Sequence, residues 1–430
     1  MDERISDGIE GDRATEVSAV ESGERAEANL RRMNAALRAR ARALTPFAHS
    51  APSLRSDLFQ SFFIGGFECS THRRRDRRRL DLLASTGHDR NAAADYRMLA
   101  GHGIRTVRDG LRWHLIETAP GRYDWSSLLP MLRAARETGT QVIWDLAHYG
   151  WPDDIDIWTP AFVERFARFS AAAARVVRDE TDQVPFYTPV NEISFWAWGG
   201  GDVGYINPCT RQRGGELKAV LAHAAIAAID AVRTVDPRAR IVSAEPAINI
   251  IPRSTAFEDV RAARDYTLAQ FEALDLISGR LRPELGGRPE NVDIVGVNYY
   301  EYNQWVDGDL AVGVDHPQYR PLRQLLADVH ARYGRPVFLS ETGIEGDLRP
   351  VWLRTVAAEA AAARAAGVPV EGLCLYPVLD YPGWEDDRHC PTGLFGTLQP
   401  DGTRPLHEPL ADELALYAAP RAAERRRRRG

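Results

Sequence analysis

Val184-Pro-Phe-Tyr-Thr-Pro-Val-Asn-Glu192 and Pro336-Val-Phe-Leu-Ser-Glu341 are two short apolar runs that each stop abruptly at a glutamate. The residues before each glutamate are strand formers, and strand interiors avoid charge. We therefore expect each glutamate to lie where a strand meets its loop. Two such sites predict a pair of carboxylates presented at one face of a sheet or barrel.

The rest of the chain continues this alternation of strand and helix patterns. The predicted strands are 62–67, 104–108, 141–146, 184–190, 239–244, 292–297, 336–340 and 370–376. The predicted helices between and after them are 91–100, 125–137, 160–178, 217–235, 262–274, 322–333, 349–366 and 409–417. Eight strand–helix units predict one (β/α)8 TIM barrel, an α/β fold, in the about 360 residues of 58–418. A doubly wound sheet would also alternate, but the Gly-rich phosphate loop that usually follows its first strand is missing.

The two ends of the chain differ from the barrel region. Residues 1–57 are predicted to be an appendage that is disordered at its start, because it is polar and contains little to bury. Residues 30–44 within it have a helical pattern, which favours a solvated surface helix over a partner-binding segment. Residues 419–430 form an Arg-rich tail, for which a solvated end is favoured over nucleic-acid binding.

Composition limits the classes of function. Hydrophobic residues make up 44% and charged residues 27% of the 430 positions, which is typical of a soluble globular protein. The net charge of -6 disfavours a nucleic-acid partner. The N-terminus lacks the apolar core of a signal peptide, and no apolar run is long enough to span a membrane. The four cysteines lie at neither metal nor redox spacing. We therefore expect a cytoplasmic protein without metal or cofactor, and leave its oligomeric state open.

Chemically useful side chains collect where the predicted strands end, which is the functional face of such a barrel. These residues are Glu68, Arg108, Asp109, Asp145, His148, Asn191, Glu192, Glu245, Asn298, Tyr299, Tyr300, Glu341, Tyr376, Asp380 and Trp384. Aromatic walls with hydrogen-bonding groups suit a sugar, which has apolar faces and a rim of hydroxyls. Paired carboxyls suit glycosidic bond cleavage, in which one protonates the leaving oxygen and the other attacks or activates water. The predicted partner is a small-molecule glycoside or oligosaccharide.

Five short motifs occur in order along the predicted strands. They are Gly103-Ile-Arg-Thr-Val-Arg-Asp-Gly-Leu-Arg-Trp113, Ala147-His-Tyr-Gly-Trp-Pro152, Thr188-Pro-Val-Asn-Glu192, Val295-Gly-Val-Asn-Tyr-Tyr300 and Leu339-Ser-Glu-Thr-Gly343. From about residue 60 to 410 their order resembles glycoside hydrolase family 1, the β-glucosidase-like family with catalytic glutamates on strands 4 and 7. Each motif alone is weak evidence for this resemblance, whereas five motifs in the right order are specific evidence for it.

The resemblance implies a retaining β-glycosidase that acts by double displacement. Glu192 would be the acid/base and Glu341 the nucleophile, with their carboxyl groups ~5–5.5 Å apart. Arg108 and Tyr300 would keep Glu341 ionised and oriented, since a cation and a phenol donor both favour the charged form.

The resemblance also implies which residues bind the sugar. Asn191 would hydrogen-bond the 2-hydroxyl and His148 another hydroxyl, and Asn298 belongs to the matching Asn-Tyr-Tyr motif. The loop after the acid/base is rich in aromatic residues and glycine, so we expect Trp196 and Trp198 to form a sugar platform.

The eighth strand departs from the family pattern. Tyr376-Pro-Val-Leu-Asp-Tyr-Pro-Gly-Trp384 has the length of the family's Trp-Ser-Leu-Leu-Asp-Asn-Phe-Glu-Trp segment. Trp384 is kept and Tyr376 replaces the first Trp, and both are predicted to bind substrate. Gly383 stands where the family's Glu clamps two hydroxyls, a charge-assisted contact worth ~1.5–3 kcal/mol. The acidic residues that would replace that Glu are Glu385, Asp386 and Asp387. We expect a divergent member with its catalytic centre kept and its sugar pocket rebuilt.

Three other classes of protein share parts of this pattern. A transglycosidase would use the same two glutamates, with an acceptor alcohol in place of water. A non-catalytic carbohydrate-binding barrel would not need both glutamates together with Arg108 and Tyr300. A metal-dependent hydrolase would need a cluster of His, Asp or Glu ligands at the strand ends, which the dispersed histidines do not supply.

Overall fold

The computed structural model describes residues 23–44 and 54–418. The predictions of a disordered start and of an Arg-rich tail fall on residues 1–22 and 419–430, which lie outside the described residues. Within the two described ranges, no helix is long and apolar enough to cross a membrane.

Eight parallel strands form a closed barrel, in which each strand pairs with the next along the chain and the eighth pairs with the first. The strands are Phe63–Gly66 (β1), Thr106–Gly110 (β2), Gln141–Asp145 (β3), Phe186–Thr188 (β4), Arg240–Pro246 (β5), Ile294–Asn298 (β6), Val337–Thr342 (β7) and Val370–Leu375 (β8). This topology confirms the predicted TIM barrel.

Helices surround the barrel and separate its strands. The longer ones are residues 23–44 (α1), His88–Gly101 (α2), Leu129–Thr138 (α3), Pro160–Glu180 (α4), Gly214–Val235 (α5), Phe257–Ala269 (α6), Leu322–Tyr333 (α7), Arg349–Ala365 (α8) and Glu408–Ala418 (α9). Shorter helices lie at Leu82–Ser85, Trp113–Ile116, Ile193–Trp196 and Glu272–Ile277, and short strand pairs join Glu117–Ala119 to Arg122–Tyr123, Asn249–Ile251 to Gln304–Val306 and Tyr381–Pro382 to His389–Cys390.

The inside of the barrel is filled by a cluster of buried side chains from different strands. Its members include Ile64, Ile143, Phe186, Val242, Ile294, Phe338 and Cys374. The Phe59 ring belongs to this cluster, with its centroid 5.5 Å from that of Phe186 and 5.2 Å from that of Phe338. Because the interior is packed, a ligand is confined to the carboxyl ends of the strands.

Strand boundaries differ from the prediction where proline intervenes. The predicted strand 184–190 is observed only as Phe186–Thr188, because Pro185 and Pro189 lack the N–H that would extend the ladder. The seventh strand runs further than predicted and includes Glu341. The predicted helix 262–274 is two helices, α6 and Glu272–Ile277.

Helix α1 lies against the barrel and is not a fully solvated surface helix. Met33 and Leu37 on one face are each only 4% exposed, and Leu37 belongs to the main hydrophobic core. The physical reason is the helical spacing of these apolar residues, which gives α1 a stripe that must be covered.

Candidate active site

Glu192 and Glu341 line one cavity of about 820 Å³ at the carboxyl ends of the strands. Glu341 lies in β7, whereas Glu192 lies just after β4 and begins the short helix Ile193–Trp196. Its φ of 43° is in the left-handed region, which is uncommon for a residue other than glycine.

The turn at Glu192 is held in place by β5. The Glu192 N–H donates to the Ala244 carbonyl at 2.9 Å. The Glu245 carboxylate accepts the N–H groups of Ile193 at 2.7 Å and Ser194 at 3.0 Å, which are free at the start of the helix. Glu245 therefore has a structural role.

Glu341 is surrounded by groups that stabilise its charged form. Arg108 Nη1 donates to Oε1 at 2.7 Å, and the Tyr300 hydroxyl donates to Oε2 at 2.9 Å. The side chain is nearly buried, so these charge-assisted contacts are strong. The structure thus brings Arg108 and Tyr300 to Glu341 in the arrangement that the resemblance implies.

Glu192 has the opposite electrostatic setting. Burial and the negative charge of Glu341 raise its pKa to about 8, although hydrogen bonds from the Tyr149 hydroxyl and from Asn298 Nδ2, the latter at 2.8 Å, oppose this rise. These effects favour the protonated form of Glu192 at neutral pH. One carboxyl that holds a proton beside one that is paired with a cation is a suitable acid and nucleophile pair.

Arg108 is the centre of a buried polar network. Its Nε and Nη2 donate to the two oxygens of Asp145 at 2.9 and 2.6 Å, and Nη2 also donates to Asn191 Oδ1 at 2.6 Å. Burial would raise the pKa of Asp145, but the charge of Arg108 and the hydrogen bond from His148 outweigh it and hold that pKa below its usual range. Asp145 therefore orients Arg108 and carries a full negative charge to balance it.

His148 lines the cavity, whereas Asn191 lies beneath it, fully buried. Asn191 Nδ2 donates to His148 Nε2 at 2.9 Å, so the ring proton is assigned to Nδ1, which donates to Asp145 at 3.0 Å. The amide of Asn191 is thus occupied by Arg108, His148 and the Tyr149 hydroxyl. Asn298 is also fully buried, and it contacts Glu192.

Tyr376 and Trp384, which the sequence analysis predicts to bind substrate, both line the cavity. Gly383 lines it beside them. The Tyr376 hydroxyl and the Trp384 indole nitrogen are buried and find no hydrogen-bond partner within residues 23–44 and 54–418. The two side chains therefore present their aromatic rings to the cavity. The Arg108 guanidinium lies 5.5 Å from the centre of the Tyr376 ring.

The predicted platform of Trp196 and Trp198 is not observed. Trp196 is fully buried, and its indole N–H donates to the Asn207 carbonyl at 2.9 Å. Trp198 is 45% exposed but is not among the described residues that line the cavity. The reason is that the loop coils into a short helix, which turns these two side chains away. Phe195 and Tyr205 line the cavity in their place.

Several residues of the cavity were given no role by the sequence analysis. Tyr149 directly follows His148 in its motif and contacts Glu192, so the motif itself carried the signal. Glu68 lines the cavity, and burial raises its pKa. Of the three acidic residues proposed to replace the family's clamp, Glu385 and Asp386 line the cavity, whereas Asp387 pairs with Arg78.

Cys69, Asp145 and His148 form a cluster of possible metal ligands, with ligand atoms within 4.8 Å of one another, which the sequence analysis did not foresee. These residues do not fit a metal. Both Asp145 oxygens accept hydrogen bonds from Arg108, and a cation would lie beside that guanidinium. Burial also raises the pKa of the Cys69 thiol well above its usual range, which disfavours the thiolate that a metal needs.

Comparison with solved structures finds the same fold in β-glucosidases. The family 1 β-glucosidase from Thermotoga maritima is 18% identical, with a TM-score of 0.66 over 77% of this chain and 87% of that chain. The Thermotoga maritima β-glucosidase in complex with glucoimidazole is 16% identical, with a TM-score of 0.71 over 85% of this chain and 99% of that chain. The AHE enzyme from Alicyclobacillus herbarius is 17% identical, with a TM-score of 0.65 over 77% of this chain and 87% of that chain.

No protein-family model matches the sequence, and no curated protein matches it. At these identities the structural likeness shows the fold alone. A functional assignment must therefore be argued from the geometry of the site.

Proposed function

We propose that this protein is a retaining β-glycoside hydrolase, a divergent relative of glycoside hydrolase family 1. The observation that carries the proposal is the pair of glutamates that line one cavity in opposite settings. Burial and the charge of Glu341 raise the pKa of Glu192, whereas Arg108 and Tyr300 donate to the carboxylate of Glu341. A retaining glycosidase needs one acid and one anionic nucleophile at the same anomeric carbon.

In the first step, a Glu341 oxygen attacks the anomeric carbon while Glu192 gives its proton to the glycosidic oxygen. The bond between that carbon and the leaving oxygen breaks, and the aglycone departs as an alcohol. The product is a glycosyl ester of Glu341. The two oxygens of Glu341 are oriented by Arg108 and Tyr300, so the nucleophile is preorganised.

The second step follows from the loss of charge at Glu341. Glu192 is a carboxylate once it has given up its proton, and esterification removes the negative charge that raises its pKa, so Glu192 stays ionised and can accept a proton. It takes that proton from a water molecule, whose oxygen attacks the anomeric carbon. The ester bond breaks, the sugar is released with its configuration retained, and both glutamates return to their first state.

The sugar pocket supports a divergent specificity. Gly383 offers only main-chain atoms at the wall, whereas Tyr376 and Trp384 supply aromatic rings. Glu68 and His148 add polar groups to the same wall. We propose that these residues bind the terminal sugar.

A panel of 4-nitrophenyl β-glycosides tests the proposal with wild type, Glu341→Gly and Glu290→Gly. Glu290 is an exposed residue in a surface turn, so its variant is the matched control. We expect wild type and the control to release nitrophenol from at least one member, and Glu341→Gly to be at least 10³-fold slower.

A 2-deoxy-2-fluoro glycosyl fluoride of the accepted sugar should then add one sugar mass to the peptide that contains Glu341. Unchanged turnover by Glu341→Gly, or labelling of another residue, would contradict the assignment. No release from any glycoside by wild type would remove the hydrolase proposal and leave a carbohydrate-binding barrel.

A further inference from the structure

Glu245 is a buried carboxylate that neither step of the proposed reaction uses. It lies in β5, is only 8% exposed and is not among the described residues that line the cavity. No arginine, lysine or histidine within residues 23–44 and 54–418 forms an ion pair with it, and Lys218, whose charge acts on it, pairs with Glu272 instead. Its burial is therefore compensated mainly by the N–H groups of Ile193 and Ser194, which donate to its two oxygens.

The two glutamates of the proposed reaction are anchored in different ways. Glu341 lies within β7, where the ladder pairs it with Asn298 of β6. The ladder between β4 and β5 ends at the pair of Tyr187 and Ile241, five positions before Glu192. Strand pairing thus fixes the position of Glu341 directly, whereas Glu192 depends on contacts beyond the end of its strand.

Strand β5 supplies those contacts through two consecutive residues. The Ala244 carbonyl accepts the N–H of Glu192 at 2.9 Å, and the Glu245 carboxylate holds the two residues that follow Glu192. Glu192 has a φ of 43° and a ψ of 60°, a left-handed conformation that persists only where the surroundings impose it. Glu245 therefore helps to keep the main chain in the conformation that presents the Glu192 side chain to the cavity.

The far end of the Glu192 side chain is held by two neutral donors. The Tyr149 hydroxyl donates to Oε2, and Asn298 Nδ2 donates to Oε1 at 2.8 Å. The carboxyl group meets both donors only while the turn that carries it is fixed. A misplacement of about 1 Å can cost about 100-fold in rate, so a shift of the main chain after Glu192 would impair proton delivery.

We propose that Glu245 is a positioning residue for the acid/base, and that by holding the N–H groups of Ile193 and Ser194 it fixes the turn that aims the Glu192 proton at the glycosidic oxygen. Glu245 is not at the cavity surface, so it acts through Glu192. The inference rests on the proposed hydrolase function, because it concerns the acid of that reaction. The contribution of Glu245 to the rate should then depend on how much the leaving group needs an acid.

Two aryl β-glycosides of the sugar that wild type accepts best separate proton delivery from binding and nucleophilic attack. Phenol is a poor leaving group and needs the proton, whereas 2,4-dinitrophenol departs as an anion without it. The parameter kcat/KM covers the steps up to cleavage of the glycosidic bond, so the second step of the reaction does not affect the comparison.

The pH of the assay is set by the two carboxyl groups. Burial raises the pKa of Glu245 to about 7, and burial together with the charge of Glu341 raises the pKa of Glu192 to about 8. Assays at about pH 7.5 therefore favour the ionised form of Glu245 and the protonated form of Glu192.

The variant is Glu245→Gln, and Glu371→Gln is its matched control. A glutamine amide has one acceptor oxygen and one NH2 donor, so it cannot hold both N–H groups. Glu371 is 7% exposed and also accepts a main-chain N–H, that of Asp57 at 2.8 Å. It lies at the start of β8, at the opposite end of the barrel from the cavity. The two substitutions are thus equal in chemistry and burial and differ in their link to Glu192.

We expect Glu245→Gln to lower kcat/KM about 10- to 100-fold for the phenyl glycoside, through kcat and not KM, and to leave the 2,4-dinitrophenyl glycoside within about twofold. Glu371→Gln should leave both substrates within about twofold of wild type. Equal losses on the two substrates in Glu245→Gln, or no loss on either, would overturn the positioning role while leaving the hydrolase proposal intact. Absence of turnover by wild type would overturn both.

Glu245→Asp provides a second variant if Glu245→Gln fails to fold, as judged by urea unfolding. It keeps the charge and both oxygens but draws the carboxylate back by one methylene group. A larger loss on the phenyl glycoside than on the 2,4-dinitrophenyl glycoside would support the positioning role, and equal losses would overturn it.

Discussion

At the scale of single residues, two glutamates in one cavity differ because of what surrounds them. Glu341 accepts hydrogen bonds from a cation and a phenol, whereas Glu192 accepts them from a phenol and an amide and faces the charge of Glu341. The neutral donors to Glu192 favour its charged form, but burial and the neighbouring charge outweigh them. The imbalance between these effects suits Glu192 to the proposed role of acid.

The pH profile of kcat/KM should reveal this imbalance. Activity needs the protonated acid, so it should fall as the pH rises through the pKa of Glu192, at about 8. Tyr149→Phe removes a donor that stabilises the Glu192 carboxylate, so the pKa should rise and the alkaline limb should move to higher pH. Initial rates from pH 5 to 10 with an aryl glycoside measure this shift.

Tyr187→Phe is the matched control for that profile. The Tyr187 hydroxyl is buried in β4 and has no hydrogen-bond partner within the described part of the chain, so its removal should leave the alkaline limb in place. A limb that moves to lower pH in Tyr149→Phe, or stays unchanged, would show that Tyr149 does not set the protonation of Glu192.

At the scale of elements, the site depends on how closely β1 approaches β8. A Cβ atom at Gly66 would overlap the Tyr376 ring and lie 2.9 Å from Cys374 Sγ. The absence of a side chain at the end of β1 thus lets Tyr376 lie over Arg108, at the cavity wall. The pairing of β1 with β8 and the position of Tyr376 at the cavity wall therefore both require a residue without a side chain at position 66.

Gly66→Ala should disturb both the pairing of β1 with β8 and the position of Tyr376. Overpacking of this kind costs about 1–3 kcal/mol of the free energy of unfolding, and displacement of Tyr376 should also raise KM. Urea unfolding and steady-state kinetics measure the two effects. Gly101→Ala is the control, because a Cβ at that helical position meets nothing within 4 Å. If Gly66→Ala matched wild type in both measurements, the close approach would not be a constraint.

At the scale of the whole molecule, a buried carboxylate adds an ionic link between α1 and the barrel to their apolar contacts. Glu359 accepts Arg40 from α1 and Arg323 from α7, and it is nearly inaccessible to solvent. Removal of the charge from such a group leaves two guanidinium groups without their counter-ion. The attachment of α1 is therefore linked to the stability of the barrel.

Glu359→Gln should lower the free energy of unfolding by about 1–3 kcal/mol, because the two arginines that lose their partner are partly exposed to solvent. It should also make the arginines of α1 more accessible to limited trypsin digestion, because Arg40 loses its partner. Glu27→Gln is the control, since Glu27 pairs only with Arg31 among the described residues and lies at the surface. Equal rates of cleavage within α1 in wild type and Glu359→Gln would show that this pair does not hold the helix.

The sequence by itself determined the barrel and the two glutamates. Apolar runs and helical patterns repeat with the correct periods, and each catalytic candidate closes a run of strand-forming residues, so local chemistry was sufficient. Arg108, Tyr300 and His148 were found in the same way, because the carboxyl ends of parallel strands meet at one face.

Only the tertiary structure decided what lies around that pair. Trp196 is buried and α1 reaches the cavity because of packing between segments far apart in the chain, which no local pattern encodes. The protonation of Glu192 likewise depends on Glu341 and on burial, and both arise only when β4 and β7 come together in the closed barrel. Sequence patterns fix the elements, whereas electrostatics and packing depend on distances that exist only after folding.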